Sequence, residues 1–313
     1  MIRKMLIIFL ITLLPLSGAL GEEEKTDTEQ EQGMQYKVML GANASYNHYD
    51  NWTAGGVSTS TFNLLSELAA NYKSSHQHEW FNTLKLEYGL TRIEVDDECR
   101  KSIDKLTFES KYLFALTNTW KPYLRVAART QLAKGYEYFD ELQSVNLAGE
   151  SVENVEKVNL TQGFDPFFIE EGAGIAFILL SEEKKSLDFF LGVGGRQLVT
   201  SEYYVFSDDE TTTALEYILI EDYTDFGTEA GFNLKWVFYE NMAFSSNLKF
   251  FYALNEGDND KYNSVTNWEN ALSLTVNKYV SVTATADMIY DTNVLEMAQW
   301  RQVLLVNLTF QLL

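Results

Sequence analysis

The side chains of this chain that could do chemistry are charged residues placed among apolar neighbours at a spacing of two. Lys85 and Glu87 alternate with Leu84, Leu86 and Tyr88; Glu109 and Lys111 lie between Phe108 and Tyr112; Arg125 and Arg129 interleave with Leu124, Val126 and Ala128. Glu170, Arg196, Glu229, Lys235, Lys249, Glu269, Asp287 and Arg301 recur in similar settings further along. A period of two puts such residues on one face of successive strands, opposite an apolar face. Opposite charges on neighbouring strands can pair across that face. Two chemistries fit: an ion-pair network that fills and stiffens a narrow barrel, or a pore lining that selects solutes by charge. A barrel of about eight strands is filled by its side chains and one of about sixteen holds a channel, so an intermediate size leaves both open.

Other constellations are weaker. The chain has 3 His. His76 and His78 flank a short polar turn beside Glu79, and nothing in the sequence fixes a third metal ligand in space. Ser45 lies near His48, but a Ser–His hydrolase needs both on one face, and their parity differs. The acidic runs Asp96-Asp97-Glu98, Glu150/Glu153/Glu156 and Asp208-Asp209-Glu210 could collect divalent cations, yet none has the spacing of a calcium loop. Cys99 is the single cysteine, so no internal disulfide forms. No cofactor is expected, and no enzyme activity.

The elements that must position the charges are long strands. From residue 222 onward the apolar files are Phe226, Ala230, Phe232, Leu234 and Trp236; Phe244, Leu248, Phe250 and Tyr252; Trp268, Leu272 and Leu274; Val280, Val282 and Ala284; and Leu304, Val306 and Leu308. Earlier strands are expected near 36–48, 60–73, 79–93, 103–117, 122–136, 166–180 and 187–200, with Leu132 on the apolar side of the fifth. That makes twelve. Short connections (SSHQH, NTWK, SEEKKS, YENM, NKY) alternate with longer ones near 49–60, 94–102, 137–165, 200–222, 255–262 and 291–299. Residues 137–165 read as the longest irregular segment, and the piece TALEYILIE as an extension of its flanking hairpin.

This alternation predicts an all-β, transmembrane, antiparallel up-and-down β-barrel of about twelve strands, with short periplasmic turns, long extracellular loops and apolar files facing lipid. Aromatics at 14% suit two interfacial girdles, and 3 Pro suit long strands. A soluble lipid-binding barrel with its apolar face inward is the alternative. A net charge of −21 argues against nucleic acid. Residues 1–21 read as a secretory signal: Arg3 and Lys4 precede the apolar run Met5–Leu16, and small residues precede Glu22. Residues 22–34 read as an acidic lead segment and 35–313 as the barrel. The expected partners are outer-membrane lipid, the barrel-assembly machinery and, at the acidic loops, divalent cations. The expected role is a non-catalytic narrow channel, transport or structural envelope protein; a phospholipase-like membrane hydrolase is the competing class.

Five segments add a resemblance: NWTAGG (51–56), EWFNTLKLEYGL (79–90), RTQLAKGY (129–136), DPFFIEEGAGI (165–175) and TNWENALSLTVNKYVSVTATADMIYDT (266–292). Together they resemble a family of Gram-negative outer-membrane barrels catalogued only as a domain of unknown function. The resemblance implies the same barrel and location and carries no catalytic residue.

The signal reading has a direct check. The amino terminus of the chain recovered from cell envelopes, read by mass spectrometry, is expected at Glu22; an intact Met1 terminus refutes the cleavage.

Overall fold

Consecutive residues of a strand point to opposite faces, so the alternating files can be satisfied only if each face meets a different environment. The computed structural model describes residues 33–47, 59–74, 77–93, 98–207, 214–256 and 262–311. Its main sheet has twelve antiparallel strands: β1 (Gly33–Asn47), β2 (Thr59–Lys73), β3 (His78–Ile93), β4 (Glu98–Phe114), β5 (Trp120–Thr130), β8 (Phe167–Glu182), β9 (Lys185–Val199), β12 (Tyr223–Tyr239), β13 (Met242–Glu256), β14 (Tyr262–Thr275), β15 (Val280–Asp291) and β16 (Leu295–Gln311). Each pairs with the next of this series, and β1 pairs with β16 from Met39↔Gln311 to Ala42↔Leu308.

One face of this sheet curls onto itself. Lys249 of β13 reaches Glu109 of β4 at 3.4 Å, and Lys105 of β4 reaches Glu269 of β14 at 3.5 Å. That face is the inner one. The outer face carries the apolar files: Leu304 is 72% exposed, Leu191 62% and Leu124 59%.

Four further strands form a second sheet of order β10-β11-β6-β7. They are β6 (Gly135–Leu147), β7 (Glu150–Thr161), β10 (Tyr204–Phe206) and β11 (Leu215–Leu219). Val145, Val158 and Tyr217 make its core, with Phe139, Leu147, Val155 and Leu215 packed against them. Burial there, with Glu137 nearby, pushes the Tyr217 hydroxyl up to about 12. The segment 137–165, expected to be irregular, is therefore mostly a β-hairpin. Its apolar residues pack on a small local core, while Glu150, Glu153 and Glu156 of β7 are exposed, so no long apolar file betrays it. The TALEYILIE piece does not extend its flanking hairpin; Leu215–Tyr217 pairs in parallel with Val145–Leu147 of β6.

Three boundaries depart from expectation for local reasons. β4 begins at Glu98, so Cys99 lies in a strand, opposite Arg92, and not in a loop. A bulge at Ser102, between the pairs Gly89↔Ile103 and Leu90↔Lys101, breaks the period of two that would have announced it. β5 stops at Thr130, before Leu132, because Asp104 accepts the backbone N–H groups of Leu132 and Ala133, each at 2.8 Å, and diverts them from the ladder. Beyond β15 the expected long loop is a tight turn: Asp291 Oδ1 accepts the Asn293 amide at 3.1 Å and β16 starts at Leu295. Residues 1–32, with the signal and most of the lead segment, and His48 and His76 lie outside the described residues.

Asp165 locks the two sheets' connections together. Its Oδ2 accepts the Ser201 amide at 2.9 Å, the Ser201 hydroxyl at 2.5 Å and the Glu202 amide at 3.0 Å. Burial pulls its pKa up, but the Ser201 and Glu202 donors outweigh burial and hold it below the ordinary carboxylate range. A carboxylate lowered on folding stabilises above its unfolded pKa, and that contribution fades as pH falls through the folded value. Asp165→Asn is expected to lose about 1–2 kcal/mol at neutral pH. Urea unfolding of both proteins should show the difference shrinking as pH falls below the ordinary aspartate pKa of about 4.

Candidate functional site: a buried charge network on the inner face

Strand register decides which side chains meet. Tyr123 of β5 lies opposite Gly174 of β8, Gly174 opposite Gly192 of β9, and Gly192 opposite Glu229 of β12. The next row on the same face reads Arg125, Gly172, Gly194, Gly227. Both intervening strands thus present glycine between long polar side chains. A Cβ on Gly172 would stand 2.1 Å from Glu229 Oε1, and one on Gly192 would stand 2.6 Å from the Tyr123 hydroxyl. Only a bare backbone lets β5 and β12 reach each other across two strands.

Through that gap Tyr123 donates its hydroxyl to Glu229 Oε1. Arg125 donates Nη2 to Glu229 Oε2 at 2.7 Å and Nη1 to Glu170 Oε2 at 3.0 Å. Arg196, opposite Glu170 on β9, places Nε 3.8 Å from Glu170 Oε1 and donates Nη2 to Asp291 Oδ2 of β15 at 3.1 Å. Asp225, opposite Arg196 on its other side, accepts Asn293 at 2.6 Å. Glu229 is 4% exposed and Arg196 5%, while the leucines on the other face are open. Charges buried this deeply persist only when paired and hydrogen-bonded.

By register all the charged residues singled out above share the inner face, and the structure distributes them unevenly. Arg125, Glu170, Arg196 and Glu229 form the network, with Glu109 and Lys249 paired beside it. The Lys111 ammonium lies over the rings of Tyr123 and Phe190, and the Arg129 guanidinium 4.4 Å above Phe168. Glu269 meets Lys105, Asp287 meets Arg301 at 2.7 Å, and Lys85 meets Glu67 at 3.7 Å. Glu87 stands opposite Leu65 and Lys105; Lys235 lies near the short-turn end, opposite Ser186 and Ser245.

Sequence reasoning missed Tyr123, Asp225 and Asp291. Tyr123 reads as one more aromatic, and the two aspartates sit at strand ends where alternation no longer speaks. The signal that could have found Tyr123 is the run of Gly172, Gly174, Gly192 and Gly194, which leaves space only a partner can use. The metal and hydrolase candidates gain nothing. His78 hydrogen-bonds the Tyr112 hydroxyl at 2.5 Å and packs against Phe114; among the described residues no His/Cys/Asp/Glu cluster could hold a metal. Glu150, Glu153 and Glu156 lie exposed on β7.

Two family models match the chain, each described only as a protein of unknown function: DUF3078 over residues 44–136 and DUF481 over residues 168–310. No curated protein matches. Similar solved structures include the translocator domain of autotransporter NalP from Neisseria meningitidis, 10% identical over 90% of this chain and 90% of that one, TM-score 0.41. They also include the NanC porin, 9% identical over 88% of this chain and 100% of that one, TM-score 0.41. A TodX monoaromatic hydrocarbon channel mutant is 9% identical over 84% of this chain and 75% of that one, TM-score 0.36.

Removing one partner leaves a buried charge uncompensated. Glu229→Ala is expected to destabilise the folded protein by about 3–5 kcal/mol. The double variant Arg125→Met/Glu229→Leu should recover only part of that loss in the same urea titration, because Glu170 then keeps Arg196 alone.

Proposed function

We propose that this protein is an integral outer-membrane β-barrel, closed by the β1–β16 pairing, whose interior is plugged by the Arg125–Glu229 network. It acts as a non-catalytic envelope protein, a narrow channel held shut by its own ion pairs. The observation that carries this reading is the inverted polarity. Apolar side chains fill the outer face, where water would cost about 1.5–3 kcal/mol for each large one left exposed, and the buried charges point inward. A soluble lipid-binding barrel would have the opposite arrangement.

The turns fit the same frame. Glu183–Lys184 and Glu240–Asn241 are tight connections at one end of the sheet; the second sheet rises from the long connections at the other. An even number of strands puts the beginning of β1 and the end of β16 on the short-turn side, which is periplasmic in this class. Trp80, Trp120 and Trp236, exposed near the short turns, fit an interfacial girdle. In this reading the partners are outer-membrane lipid and the barrel-assembly machinery.

The test pairs extraction with conductance. The protein should need detergent for extraction and should shift in gel mobility on boiling. In a planar bilayer the wild type should conduct little, and Glu229→Ala should raise the open-channel current severalfold. Recovery of the folded protein in the soluble fraction without detergent refutes the membrane reading; a large, steady wild-type conductance refutes the plug.

A further inference from the structure

Two ion pairs cross the interior. In the strand order of the barrel proposed above, β4 and β14 stand six strands apart whichever way round they are counted, so Lys105 and Glu269 bridge opposite walls. Lys249 of β13 reaches Glu109 of β4 beside them. Side chains that meet in the middle divide the interior into two compartments. The side of β5, β8, β9 and β12 is filled. Tyr123, Arg125 and Glu229 occupy it, and Leu113, Ala176 and Phe190 close around the Tyr123 ring. The side bounded by β1, β2, β3, β15 and β16 differs. Lys85 lies midway along β3 on the inner face, yet its side chain is 52% exposed; that of Arg301, within β16, is 45% exposed. Arg125, on the filled side, is at 7%. Inward-pointing side chains this open are in contact with water, so the second compartment is hydrated.

Its lining is polar and balanced. Lys37 lies 2.8 Å from Glu67, and Lys85 lies 3.7 Å from the same carboxylate. Arg301 holds Asp287, Lys105 holds Glu269, and Glu87 faces Lys105 across the β3–β4 ladder. Away from the rims, four cations thus meet four carboxylates. Asn63, Thr83 and Thr285 share the same face by register. An ion that enters sheds hydration and finds no net field of opposite sign. An uncharged polyol exchanges its hydrogen bonds to water for bonds to carboxylates, hydroxyls and amides, at little net cost. The crossing bridges also make the passage narrower than an undivided twelve-strand interior. We propose that this compartment is the solute path of the protein and that it passes small uncharged polyhydroxyl molecules. The proposal deepens the narrow-channel reading and rests on it: the Arg125–Glu229 network shuts one half of the interior, and a small flux runs through the other.

The experiment places one new thiol in the full-length, detergent-purified Cys99→Ser protein. Thr285→Cys probes the hydrated compartment and Ala176→Cys the filled one, where Ala176 is buried. Both changes are close in size and should leave the heat-induced gel shift unaltered. A small water-soluble methanethiosulfonate should label the Thr285→Cys protein about tenfold or more faster than the Ala176→Cys protein. In liposomes, arabinose should enter faster than gluconate, and the label on the Thr285→Cys protein should cut arabinose entry severalfold. Arabinose entering no faster than gluconate, or arabinose entry untouched by the label, overturns the path. Slow labelling of both variants overturns the path and leaves the plug intact. Fast labelling of both overturns the plug, and with it the division of the interior. If Thr285→Cys does not fold, the wild-type comparison of arabinose with gluconate decides.

Discussion

A guanidinium removed from water must find carboxylates, and Arg125 finds two, on strands that do not adjoin each other. Glu170 is on the neighbouring β8 and Glu229 lies two strands further on, on β12. That single clamp asks much of its surroundings. It needs β8 and β9 to carry no side chains in the intervening rows, which Gly172, Gly174, Gly192 and Gly194 provide. It also needs the sheet to curve enough there for β5 and β12 to meet, and bare glycine backbone permits the bend. The meeting of Tyr123 with Glu229 follows from the same two rows, and Glu170 and Arg196 face each other in the row beside them.

The outer face answers to the opposite requirement. Leu124, Leu191, Phe226 and Leu304 cannot pair with one another into a core, because they radiate from a convex surface. Their register partners on adjacent strands are equally apolar, as in Leu124↔Ala173 and Phe226↔Gly195. Polar backbone groups between them are consumed by the ladders, and polar side chains on this face pair among themselves, as Ser110 does with Asn82 and Ser246 with Asn270. A surface of this composition is stable against lipid and unstable against water. The second sheet obeys ordinary globular rules: Val145 is 0% exposed and Tyr217 is buried beside it, while the charges of β7 face outward. The chain changes physical regime between Thr130 and Phe167, and Asp104 and Asp165 stand at that change, each accepting backbone amides that no ladder uses.

The main strands were legible before any coordinates, because alternation needs only a count of two. Phe232, Leu234 and Trp236 announce β12, and Lys85, Glu109, Arg125 and Glu229 announce an inner face. The clamp among Arg125, Glu170 and Glu229 was not legible. Parity puts these residues on one side but says nothing about which strands curve toward which. Glu87 and Arg125 look alike in sequence; the first has no glycine row beside it and stays in an ordinary position. The hairpin β6–β7 escaped because its apolar face, Val145, Leu147, Val155 and Val158, is short and packs on β11, a strand far along the chain.

By itself, then, the sequence determined the strand period, the number of strands in the main sheet and which residues face which way, since these follow from local alternation and turn length. Tertiary structure alone decided that Cys99 is in a strand, that β6 pairs in parallel with β11, and that Tyr123 and Arg125 close on Glu229. These depend on register between segments distant in the chain, and a register is fixed by bulges, glycine rows and curvature that no single segment contains.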